Sequence, residues 1–513
     1  MMSALKIKPI MLADLLTGIF TVPAEANCVV TGLCLDSRKL NSGDIFIVLN
    51  SLSNSNHDAS TFIDMAMSKG AQAVLWETDA DIAGIEPITK LGWRTTSLAK
   101  KIPLLAIAGL SKKLGMIADC FYGEPSKDLS ITGITGTNGK TSVSQYLAQC
   151  LGEDCGVMGT LGAGLVGELT QTGFTTPDAL HCHRWLAEMR EQKVHEISME
   201  VSSHALQQGR VNAIRFDSAV FTNLSRDHLD YHGDMQSYAL AKAGLFSMPG
   251  LKLAVINIDD EYGRELVAGL GKNINLIRYG LDEQQQPEVF AQNLKQDIQG
   301  LSMQVQSPWG SAELRVPLLG RFNASNVLAV LAVLGQKDLP LKQIISRLEK
   351  LQPVAGRMQC LGGSELPLVV VDYAHTPDAL EQALKAVREH VNGQCYCVFG
   401  CGGDRDQGKR ALMGEMAARL ADQIILTNDN PRTENPQKIL DDIQQGINSE
   451  KPVTLESDRA AAIAFAITQA DAGDVVLIAG KGHEAYQLIN DKKWPFSDVT
   501  EAEKQLRIKA GEV

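Results

Sequence analysis

The stretch from Ile131 to Ser142, which reads I-T-G-I-T-G-T-N-G-K-T-S, constrains the fold of this chain more than any other. A β-branched run leads into it, and apolar residues then recur at helical spacing from Val143 to Leu151. Strand, glycine-rich loop and helix is the order that a phosphate-binding loop requires, because free N–H groups at the helix start hold phosphate oxygens. The stretch therefore predicts an α/β domain that binds a nucleoside triphosphate.

Side chains in this loop match the same chemistry. Lys140 can reach the terminal phosphates, and the hydroxyl of Thr141 can bind Mg²⁺. The spacing departs from G-x-x-x-x-G-K-[ST], since Ile134 stands where that pattern has glycine. A glycine-rich turn with a chance Lys-Thr pair is the alternative, which the flanking strand and helix disfavour. The predicted ATP-binding loop residues are Gly136, Thr137, Asn138, Gly139, Lys140, Thr141 and Ser142.

The length of 513 residues suggests about three domains of ordinary size. Short strand-like runs at 1–108 predict a small α/β domain without a catalytic motif. Strands and helices alternate through 109–352, which predicts a mostly parallel sheet flanked by helices. A third α/β unit, Rossmann-like in its pattern, occupies 353–513. The predicted fold class is therefore α/β with three domains.

Composition narrows the class of partner. The net charge of −12, without a block of basic residues, argues against nucleic acid. Ten scattered cysteines without C-x-x-C spacing predict reduced thiols. No signal peptide is recognisable, and no apolar stretch approaches the ~20 residues of a membrane helix. We expect a cytoplasmic monomer that is not inserted in a membrane and that acts on small molecules.

The third domain repeats one arrangement, in which a strand-like run ends in a polar loop rich in Gly, Pro or Asp. In open α/β sheets, ligands bind outside the carboxyl ends of the strands. We therefore expect these loops to line one crevice. They begin at Asp372, Gly400, Asn428 and Ala479.

Polar residues of the central domain are ambiguous on pattern alone. Glu200 ends an alternating strand, where it either completes a Mg²⁺ shell or faces solvent from an edge strand. The loop that holds His228 has acids and histidines without zinc-type spacing, which favours a structural loop over a metal site. Lys242 has the pattern of a helix-surface lysine, and Asn323 that of a capped helix start.

Eight segments nevertheless form a recognisable series, namely G-T-N-G-K-T-S, M-E-V-S-S-H-A-L, F-T-N-L-S-R-D-H-L-D-Y-H-G, G-R-F-N-A-S-N, V-D-Y-A-H-T-P-D-A-L, F-G-C-G-G-D-R-D, D-N-P-R-T-E and A-G-K-G-H-E. In type and order the series resembles the Mur ligases, the ATP-dependent amide ligases that build the stem peptide of bacterial peptidoglycan. The shortened phosphate loop is similar to the variant that this superfamily shares with folylpolyglutamate synthases. The resemblance runs from about residue 30 to the C terminus.

The resemblance implies a mechanism. ATP would phosphorylate the γ-carboxylate of the D-glutamyl residue in UDP-N-acetylmuramoyl-L-alanyl-D-glutamate, and the amine of an amino acid would then displace phosphate through a tetrahedral intermediate. It implies catalytic roles for Lys140, Glu200, His228 and Lys242. Thr141 and Glu200 would bind one Mg²⁺ and His228 a second, while Lys242 would be carbamylated (N6-carboxylysine) and would bind or orient magnesium.

Binding residues also follow from the resemblance. It implies that the first domain binds uridine and that the third binds the amino acid. Two departures weaken the match, since Phe174 stands where relatives often have Asn and residues 49–58 match the family's uridine loop only loosely. The implied residues are Asn323, Arg357 and Asp372 for the adenine and ribose, Leu35 and Ser37 for uridine, and Thr175, Thr176, Ser202, Gln208 and Arg210 for the muramoyl dipeptide.

The segment Asp429-Asn430-Pro431-Arg432 is similar to that of the family branch that adds meso-diaminopimelate instead of lysine. Diaminopimelate has one carboxylate more than lysine, and a guanidinium can pair with it through two hydrogen bonds. With lysine bound, Arg432 would be desolvated without a partner, a penalty of about 2–5 kcal/mol. Arg405 would bind the carboxylate at the other end, and Gly480 and Glu484 an ammonium. The alternative is that Pro431-Arg432 only shapes a turn.

Two other functions remain open. A folylpolyglutamate-type ligase would share the loop but has no evident use for a separate N-terminal domain or for D-N-P-R. A nucleotide-binding regulator without catalysis would keep the fold, although the chemical positions are intact. Because the phosphate loop and D-N-P-R lie in different domains, we also expect the third domain to close onto the second when ligands bind.

Overall fold

The computed structural model describes residues 5, 7–50, 59–78, 90–95, 101–297, 299–389, 393–447, 451–490 and 492–512. Within these ranges the chain forms three large sheets in succession, each with helices packed against it. The α/β class and the three-domain architecture predicted from the sequence are confirmed.

The first sheet has five strands in the order β3-β4-β5-β7-β6. Its neighbours are parallel except for β6, which pairs antiparallel with β7. A small antiparallel pair, β1 with β2, precedes it. The strands are β1 (Ile10–Met11), β2 (Val29–Val30), β3 (Gly32–Cys34), β4 (Asp44–Val48), β5 (Ala73–Thr78), β6 (Lys90–Thr95) and β7 (Lys101–Ala108), and the helices are α1 (Leu12–Leu15), α2 (Ala59–Ser68) and α3 (Leu110–Phe121).

The central sheet has ten strands in the order β10-β9-β11-β8-β12-β13-β14-β15-β16-β17. The strands from β9 to β15 in this order are parallel, whereas β10, β16 and β17 add antiparallel edges. The strands are β8 (Ser130–Thr135), β9 (Cys155–Gly159), β10 (Gly162–Leu165), β11 (Glu196–Glu200), β12 (Ser218–Phe221), β13 (Leu253–Asn257), β14 (Asn275–Gly280), β15 (Val289–Asp297), β16 (Gly300–Ser307) and β17 (Gly310–Val316).

The helices of the central domain cover both faces of that sheet. Among them α10 is apolar on all sides and is buried from Asn326 to Gly335, so it packs as an internal helix against α4 and the sheet. Leu328 is fully buried there, and its truncation to Ala would cost about 2–5 kcal/mol. The helices are α4 (Lys140–Leu151), α5 (Ala179–Glu191), α6 (Ser203–Gln207), α7 (Leu229–His232), α8 (Met235–Ala243), α9 (Glu261–Ala268), α10 (Arg321–Gly335) and α11 (Leu341–Leu348).

The third sheet has six strands in the order β18-β19-β23-β20-β21-β22, all parallel except the β18–β19 pair. A separate hairpin, β24 with β25, follows it. The strands are β18 (Gln359–Gly362), β19 (Leu368–Asp372), β20 (Cys395–Phe399), β21 (Gln423–Leu426), β22 (Val453–Leu455), β23 (Val475–Ala479), β24 (Tyr486–Ile489) and β25 (Lys492–Pro495), and the helices are α12 (Pro377–Arg388), α13 (Lys409–Leu420), α14 (Pro436–Gln444), α15 (Arg459–Gln469) and α16 (Asp498–Lys509).

Candidate active site

The phosphate-binding loop lies between β8 and α4, and its backbone permits only glycine at one position. Gly136 has φ of +148°, and a Cβ there would lie 1.9 Å from Oγ1 of Thr222. The end of β12 holds the loop from the other side, since the side-chain oxygen of Asn223 accepts from the amide of Asn138 at 2.9 Å. The hydroxyl of Thr222 donates to the carbonyl of Asn138 at 2.6 Å. The predicted loop residues 136–142 thus form one preorganised turn leading into α4.

Two lysines converge on a single carbonyl of this loop. Nζ of Lys140 donates to the carbonyl oxygens of Gly136 and Thr137, each at 2.8 Å. Nζ of Lys242 donates to the same oxygen of Gly136 at 2.7 Å. Desolvation lowers the pKa of Lys140, although the charges of Glu200 and Asp227 act in the opposite direction.

Lys242, near the end of α8, is only 1% exposed, so its interpretation as a helix-surface lysine is wrong. Its Nζ lies 4.3 Å from the ring centroid of Tyr238. Burial, and then the charge of Lys140, hold the pKa of Lys242 well below its ordinary value. A buried lysine in this setting favours the neutral amine, which is a nucleophile.

Glu200 is fully buried at the end of β11, which runs between β8 and β9. Its interpretation as a solvent-facing residue of an edge strand is therefore wrong. One carboxylate oxygen accepts from the hydroxyls of Thr141 at 2.9 Å and Thr160 at 3.1 Å, and the other from the amide of Thr160 at 2.8 Å. Arg357, from the following domain, donates to the hydroxyl of Thr141 at 3.1 Å. Oxygen ligands thus line the end of the phosphate loop.

His228 follows β12 in a left-handed conformation with φ of +53°. Burial lowers its pKa to about 3, with the neighbouring His204 acting in the same direction and Asp227 against it. Because the ring is neutral at pH 7, its nitrogens keep a lone pair available for a cation. Its Nε2 lies 3.3 Å from the carboxylate of Asp227.

Asp227 joins the central domain to the third domain across the phosphate loop. Its carboxylate lies 3.5 Å from Nε2 of His375 and 3.5 Å from Nζ of Lys409, the first residue of α13. Burial alone would raise the pKa of Asp227, but the hydrogen bond from His375 and the charge of Lys409 hold it well below its ordinary value. The third domain therefore contacts the face of the second domain that carries the phosphate loop.

Further polar contacts support the same interface. The guanidinium of Arg226 pairs with both carboxylate oxygens of Asp406, at 3.2 and 3.3 Å. The side-chain amide nitrogen of Asn138 donates to the carboxylate of Asp378 at 3.0 Å. Closure of the third domain on ligand binding stays a prediction.

The residues predicted for adenine and ribose lie around the junction of the two domains. Asn323 is 2% exposed, and its side-chain oxygen accepts from Tyr146 at 3.3 Å and from Asn326 at 3.0 Å. Asp372 ends β19, and burial raises its pKa. The guanidinium carbon of Arg357 lies 4.4 Å from the ring centroid of Tyr373, the residue after Asp372. Of the three predicted residues, Arg357 is the one that contacts a residue of the phosphate loop, through its hydrogen bond to Thr141.

A cavity of about 1450 Å³ separates the first domain from the central domain. Leu35 and Ser37, predicted to contact uridine, and Gln208 and Arg210, predicted to contact the dipeptide, all line it. Residues 51–58, most of the predicted uridine loop, lie outside the described residues. Other basic lining residues would suit an anionic ligand, and they are Arg38, Lys39, Lys112, Lys113, His181 and Arg184.

The remaining predicted dipeptide contacts lie beside Glu200. The hydroxyl of Thr176 donates to the carbonyl of Glu200 at 2.9 Å and accepts from the amide of Ser202 at 3.0 Å. The hydroxyl of Thr175 lies 3.1 Å from that of Thr160, which itself bonds Glu200. Thr175, Thr176 and Ser202 are not among the described residues that line the cavity, and they form a hydrogen-bonded cluster beside Glu200 instead.

Phe174, the position that departs from the family pattern, is 59% exposed and lines the cavity. The guanidinium carbon of Arg210 lies 5.8 Å from its ring centroid. Arg210 also donates to the carbonyl of Thr176 at 2.9 Å and to the side chain of Gln208 at 2.8 Å. The ring of Phe174 thus offers a stacking surface to the guanidinium of Arg210, where an Asn at this position would offer a polar contact.

Arg432, the centre of the predicted amino-acid site, has φ of +52° and a half-buried side chain. Its Nη1 donates to the carbonyl of Gly403 at 2.7 Å, whereas Nε and Nη2 have no hydrogen-bond partner within the described residues. Burial lowers the pKa of Arg432, and the charge of Arg405 acts in the same direction. Two cationic groups thus lie close together with donors to spare, as a dicarboxylic amino acid requires.

Neighbouring loops complete this site. Asn430 is 5% exposed, and its amide nitrogen donates to the carboxylate of Glu484 at 2.8 Å. Gly480 has φ of +114°, and a Cβ there would lie 2.6 Å from the carboxylate of Asp429. Pro431 is buried, whereas Arg405 is exposed at the rim. The four loops predicted to share a crevice meet at the carboxyl ends of β19, β20, β21 and β23, and the amide of Gly480 donates to the carbonyl of Asp372 at 3.1 Å.

Sequence patterns miss several residues that the structure brings to the site, although all of them except Lys409 fall within the quoted motifs. Asp227 lies in the loop without zinc-type spacing, and His375 lies in a loop of the third domain. Their roles depend on the docking of two domains, which no local pattern encodes. The missed residues are Asp227, Asn326, His375, Lys409 and Lys481.

A phosphate-binding loop on one α/β domain, faced by a second α/β domain with its own polar crevice, defines the class of nucleotide-dependent ligases. Residues 134–334 match the Mur ligase middle domain, and residues 356–482 match the Mur ligase glutamate ligase domain. The chain belongs to the Mur ligase family.

Curated relatives match along most of the chain. A protein of Coxiella burnetii, named UDP-N-acetylmuramoyl-L-alanyl-D-glutamate–2,6-diaminopimelate ligase, is 47% identical over 487 residues, which covers 94% of this chain and 96% of the relative. A protein of Pseudomonas aeruginosa with the same name is 47% identical over 486 residues, with the same coverage.

Solved structures agree with this assignment. A structure with that ligase name has a TM-score of 0.67 and 36% identity, and the match covers 98% of this chain and 100% of the other. A folylpolyglutamate synthase of Mycobacterium tuberculosis, with a TM-score of 0.58, 18% identity and 71% coverage of this chain, shares the fold alone. Among the residues described, no helix has the length and apolar character needed to cross a membrane.

Proposed function

We propose that this protein is the ATP-dependent ligase that joins meso-diaminopimelate to the D-glutamyl γ-carboxylate of UDP-N-acetylmuramoyl-L-alanyl-D-glutamate in peptidoglycan synthesis. The relatives that match most of its length carry the corresponding name. The observation that carries the choice of amino acid is the Arg432 guanidinium, half-buried beside Arg405 with unused donors.

The phosphate loop is the proposed ATP site. Backbone N–H groups of residues 136–142 would hold the β- and γ-phosphates at the start of α4. Lys140 would leave the carbonyls of Gly136 and Thr137 to neutralise charge on the transferred phosphoryl group. Asn323, Arg357 and Asp372 would surround the adenine and ribose. Their position at the domain junction links nucleotide binding to the contact between domains.

Magnesium suits the ligand set on chemical grounds. The hydroxyl of Thr141 and the carboxylate of Glu200 are 2.9 Å apart at a strand end, and both are oxygen ligands. No group of three or more His, Cys, Asp or Glu able to hold a metal occurs in the described part of the chain, which fits an ion held mainly by phosphates and water. Thr141 and Glu200 would hold one Mg²⁺, and His228 a second. The ions would neutralise charge on the phosphates.

Lys242 would carry a carbamate. A neutral amine can attack carbon dioxide, forming an N–C bond and releasing a proton, and the low pKa of this buried lysine favours the neutral form. The product is an anion, which would attract the neighbouring Lys140 and could orient magnesium. The charge of Lys140, whose Nζ shares the carbonyl of Gly136 with Nζ of Lys242, disfavours the ammonium form of Lys242 and so supports this modification.

The reaction then needs positioning more than further covalent groups. The γ-carboxylate attacks the γ-phosphorus of ATP, ADP leaves, and an acyl phosphate forms. The amino acid's amine attacks the acyl carbon, and the tetrahedral intermediate expels phosphate. Ser202, Thr175 and Thr176 would align the dipeptide, because they form a hydrogen-bonded cluster beside Glu200.

The three domains share the binding of the three substrates in this proposal. The segment 1–108 would bind uridine through Leu35 and Ser37, 109–352 would bind ATP and the muramoyl dipeptide, and 353–513 would bind diaminopimelate. All ten cysteines lie in described ranges, and no disulfide joins any two of them there. With nucleotide substrates found in the cytosol, this supports a cytoplasmic enzyme, and we propose a monomer that contributes to cell-wall biogenesis, cell shape and division.

An amino-acid competition assay tests the function. Phosphate release is measured with ATP, the muramoyl dipeptide and either meso-diaminopimelate or L-lysine. We expect kcat/KM for diaminopimelate to exceed that for lysine by about 10²–10³. Equal rates would contradict the choice of amino acid but not the ligase class. Turnover with tetrahydrofolate and glutamate instead would indicate a folylpolyglutamate-type ligase.

A further inference from the structure

Lys481 is a fully buried cation next to the proposed diaminopimelate site. It follows β23, and its ammonium donates to the side-chain oxygen of Asn430 at 3.0 Å and to the carboxylate of Glu484 at 2.8 Å. The ring centroid of Tyr486 lies 5.7 Å from Nζ. Because a buried ammonium needs compensation, its position is tied to these partners.

The contacts of Asn430 fix which way its amide points. Its oxygen accepts from Lys481 and from the backbone amide of Leu488 at 2.8 Å, and both partners are donors only. Its nitrogen donates to Glu484. In the flipped amide an NH₂ group would face an ammonium and an N–H. The ammonium of Lys481 therefore keeps the NH₂ of Asn430 on the side of Glu484.

This orientation leaves a defined pair of unused groups. One of the two N–H groups of the Asn430 side chain donates to Glu484, and the other is unused within the described part of the chain. The second oxygen of Glu484 has no partner among the described residues. A donor beside an anionic acceptor complements a carboxylate beside an ammonium. That is the arrangement at the far end of diaminopimelate, whereas lysine ends in an ammonium alone.

The hairpin β24–β25 extends the same support to Arg432. The amide of Arg432 donates to the carbonyl of Leu488 at 3.0 Å, and the amide of Asn490 donates to the carbonyl of Arg432 at 2.8 Å. Leu488 thus touches both Asn430 and Arg432. The D-N-P-R loop, the loop that holds Lys481 and the hairpin thus form one hydrogen-bonded unit, and the buried ammonium of Lys481 lies within it.

We propose that Lys481 is a positioning residue for amino-acid selection, which orients Asn430 and Glu484 toward the second carboxylate and ammonium of the substrate. This inference rests on the proposed function and names a determinant of that site. Lys481 acts through its neighbours, so its removal affects the amino acid and not the nucleotide.

The test compares Lys481→Met with the wild-type full-length enzyme in phosphate-release kinetics. We expect the KM for diaminopimelate to rise about tenfold or more, and its kcat/KM relative to L-lysine to fall about tenfold, because Asn430 can flip. The KM for ATP should stay within about twofold of the wild-type value, since Lys481 touches no phosphate-loop residue. Lys337→Met is the matched control, because it removes a lysine that pairs with Glu196 at 2.7 Å at the opposite end of a strand.

Two outcomes overturn the inference. One is a Lys481→Met enzyme whose KM equals the wild-type KM for whichever amino acid the wild-type enzyme uses. The other is a KM for ATP that rises in Lys481→Met by the same factor as the KM for the amino acid, which would indicate general damage to the third domain. If Lys481→Met does not fold, Lys481→Gln keeps a donor for Asn430 and should give a smaller rise. The wild-type arm separately tests the proposed function, because failure there appears as absent or lysine-directed turnover before any variant is compared.

Discussion

The phosphate loop and the D-N-P-R loop both follow parallel strands, yet they are held in different ways. The phosphate loop is fixed within its own sheet, since Gly136 packs against Thr222 at the end of the neighbouring strand β12 and α4 begins at Lys140. The D-N-P-R loop is fixed by distant segments, since Arg432 pairs with Leu488 and Asn490 of a hairpin. In the proposed function, the phosphate loop serves nucleotide binding, which is common to many enzymes, and the D-N-P-R loop serves the choice between similar amino acids.

The largest expected effect tests the phosphate loop. Lys140→Ala should lower kcat by about 10²–10³-fold, because a charge that stabilises the transferred phosphoryl group is lost. Phosphate release with all substrates saturating measures it. Lys337→Ala, which removes a lysine away from the loop, is the control and should keep normal kcat. Near-normal turnover by Lys140→Ala would contradict this role of Lys140, whereas Lys140→Ala that still supports cell-wall synthesis in a strain lacking the enzyme would favour a regulator without catalysis over a ligase.

The next effect tests the D-N-P-R loop. Arg432→Met should lower the preference for diaminopimelate over lysine by about 10²-fold while leaving the KM for ATP unchanged, since the extra carboxylate loses its partner. Competition between the two amino acids measures the ratio. Arg315→Met removes an exposed arginine on β17 and should leave the preference intact. An unchanged ratio in Arg432→Met would leave Pro431-Arg432 as a turn only.

A smaller effect concerns pH. Burial lowers the pKa of His483 to about 4, and the charges of Arg357 and Lys481 act in the same direction. In the unfolded chain the His483 ring takes up a proton near pH 6.5, whereas in the folded protein it stays neutral down to about pH 4. The contribution of the neutral ring to the free energy of unfolding is therefore complete above pH 6.5 and is lost as the pH falls toward 4. His483→Gln should therefore lose less stability than the wild type between pH 7 and 5, by about 1 kcal/mol after allowance for partial exposure.

Urea unfolding at both pH values measures this difference. The exposed His195, changed to Gln, is the matched control and should behave as the wild type. Equal acid sensitivity in wild type and His483→Gln would mean that the ring gains its proton without cost in the folded protein.

The smallest effect tests the contact between the two regions. Arg226→Ala and Asp406→Ala should show a coupling of about 0.5 kcal/mol in a double-mutant cycle on the KM for diaminopimelate, because the pair is partly exposed. A coupling above about 2 kcal/mol would indicate that domain docking depends on this pair. No coupling would assign docking to Asp227 and its partners.

The same contrast explains what the sequence could predict. The phosphate loop, its strand and its helix were evident because the glycine spacing and the helical periodicity are local. The three domains followed from alternating strands and helices. Lys242 was misread on pattern alone, because its burial comes from packing of α8 against a loop about a hundred residues earlier. Asp227 was missed because His375 and Lys409 come from another domain.

The carbonyl of Gly136, which accepts from both Lys140 and Lys242, has a consequence for how the enzyme is loaded. When phosphates draw Lys140 away, that oxygen is left to Lys242 alone, and a carbamate at 242 would keep a single N–H to donate to it. On the proposed modification, dissolved carbon dioxide would thus tune the electrostatics that an arriving nucleotide meets. Availability of a gas would be coupled to the first event of the catalytic cycle.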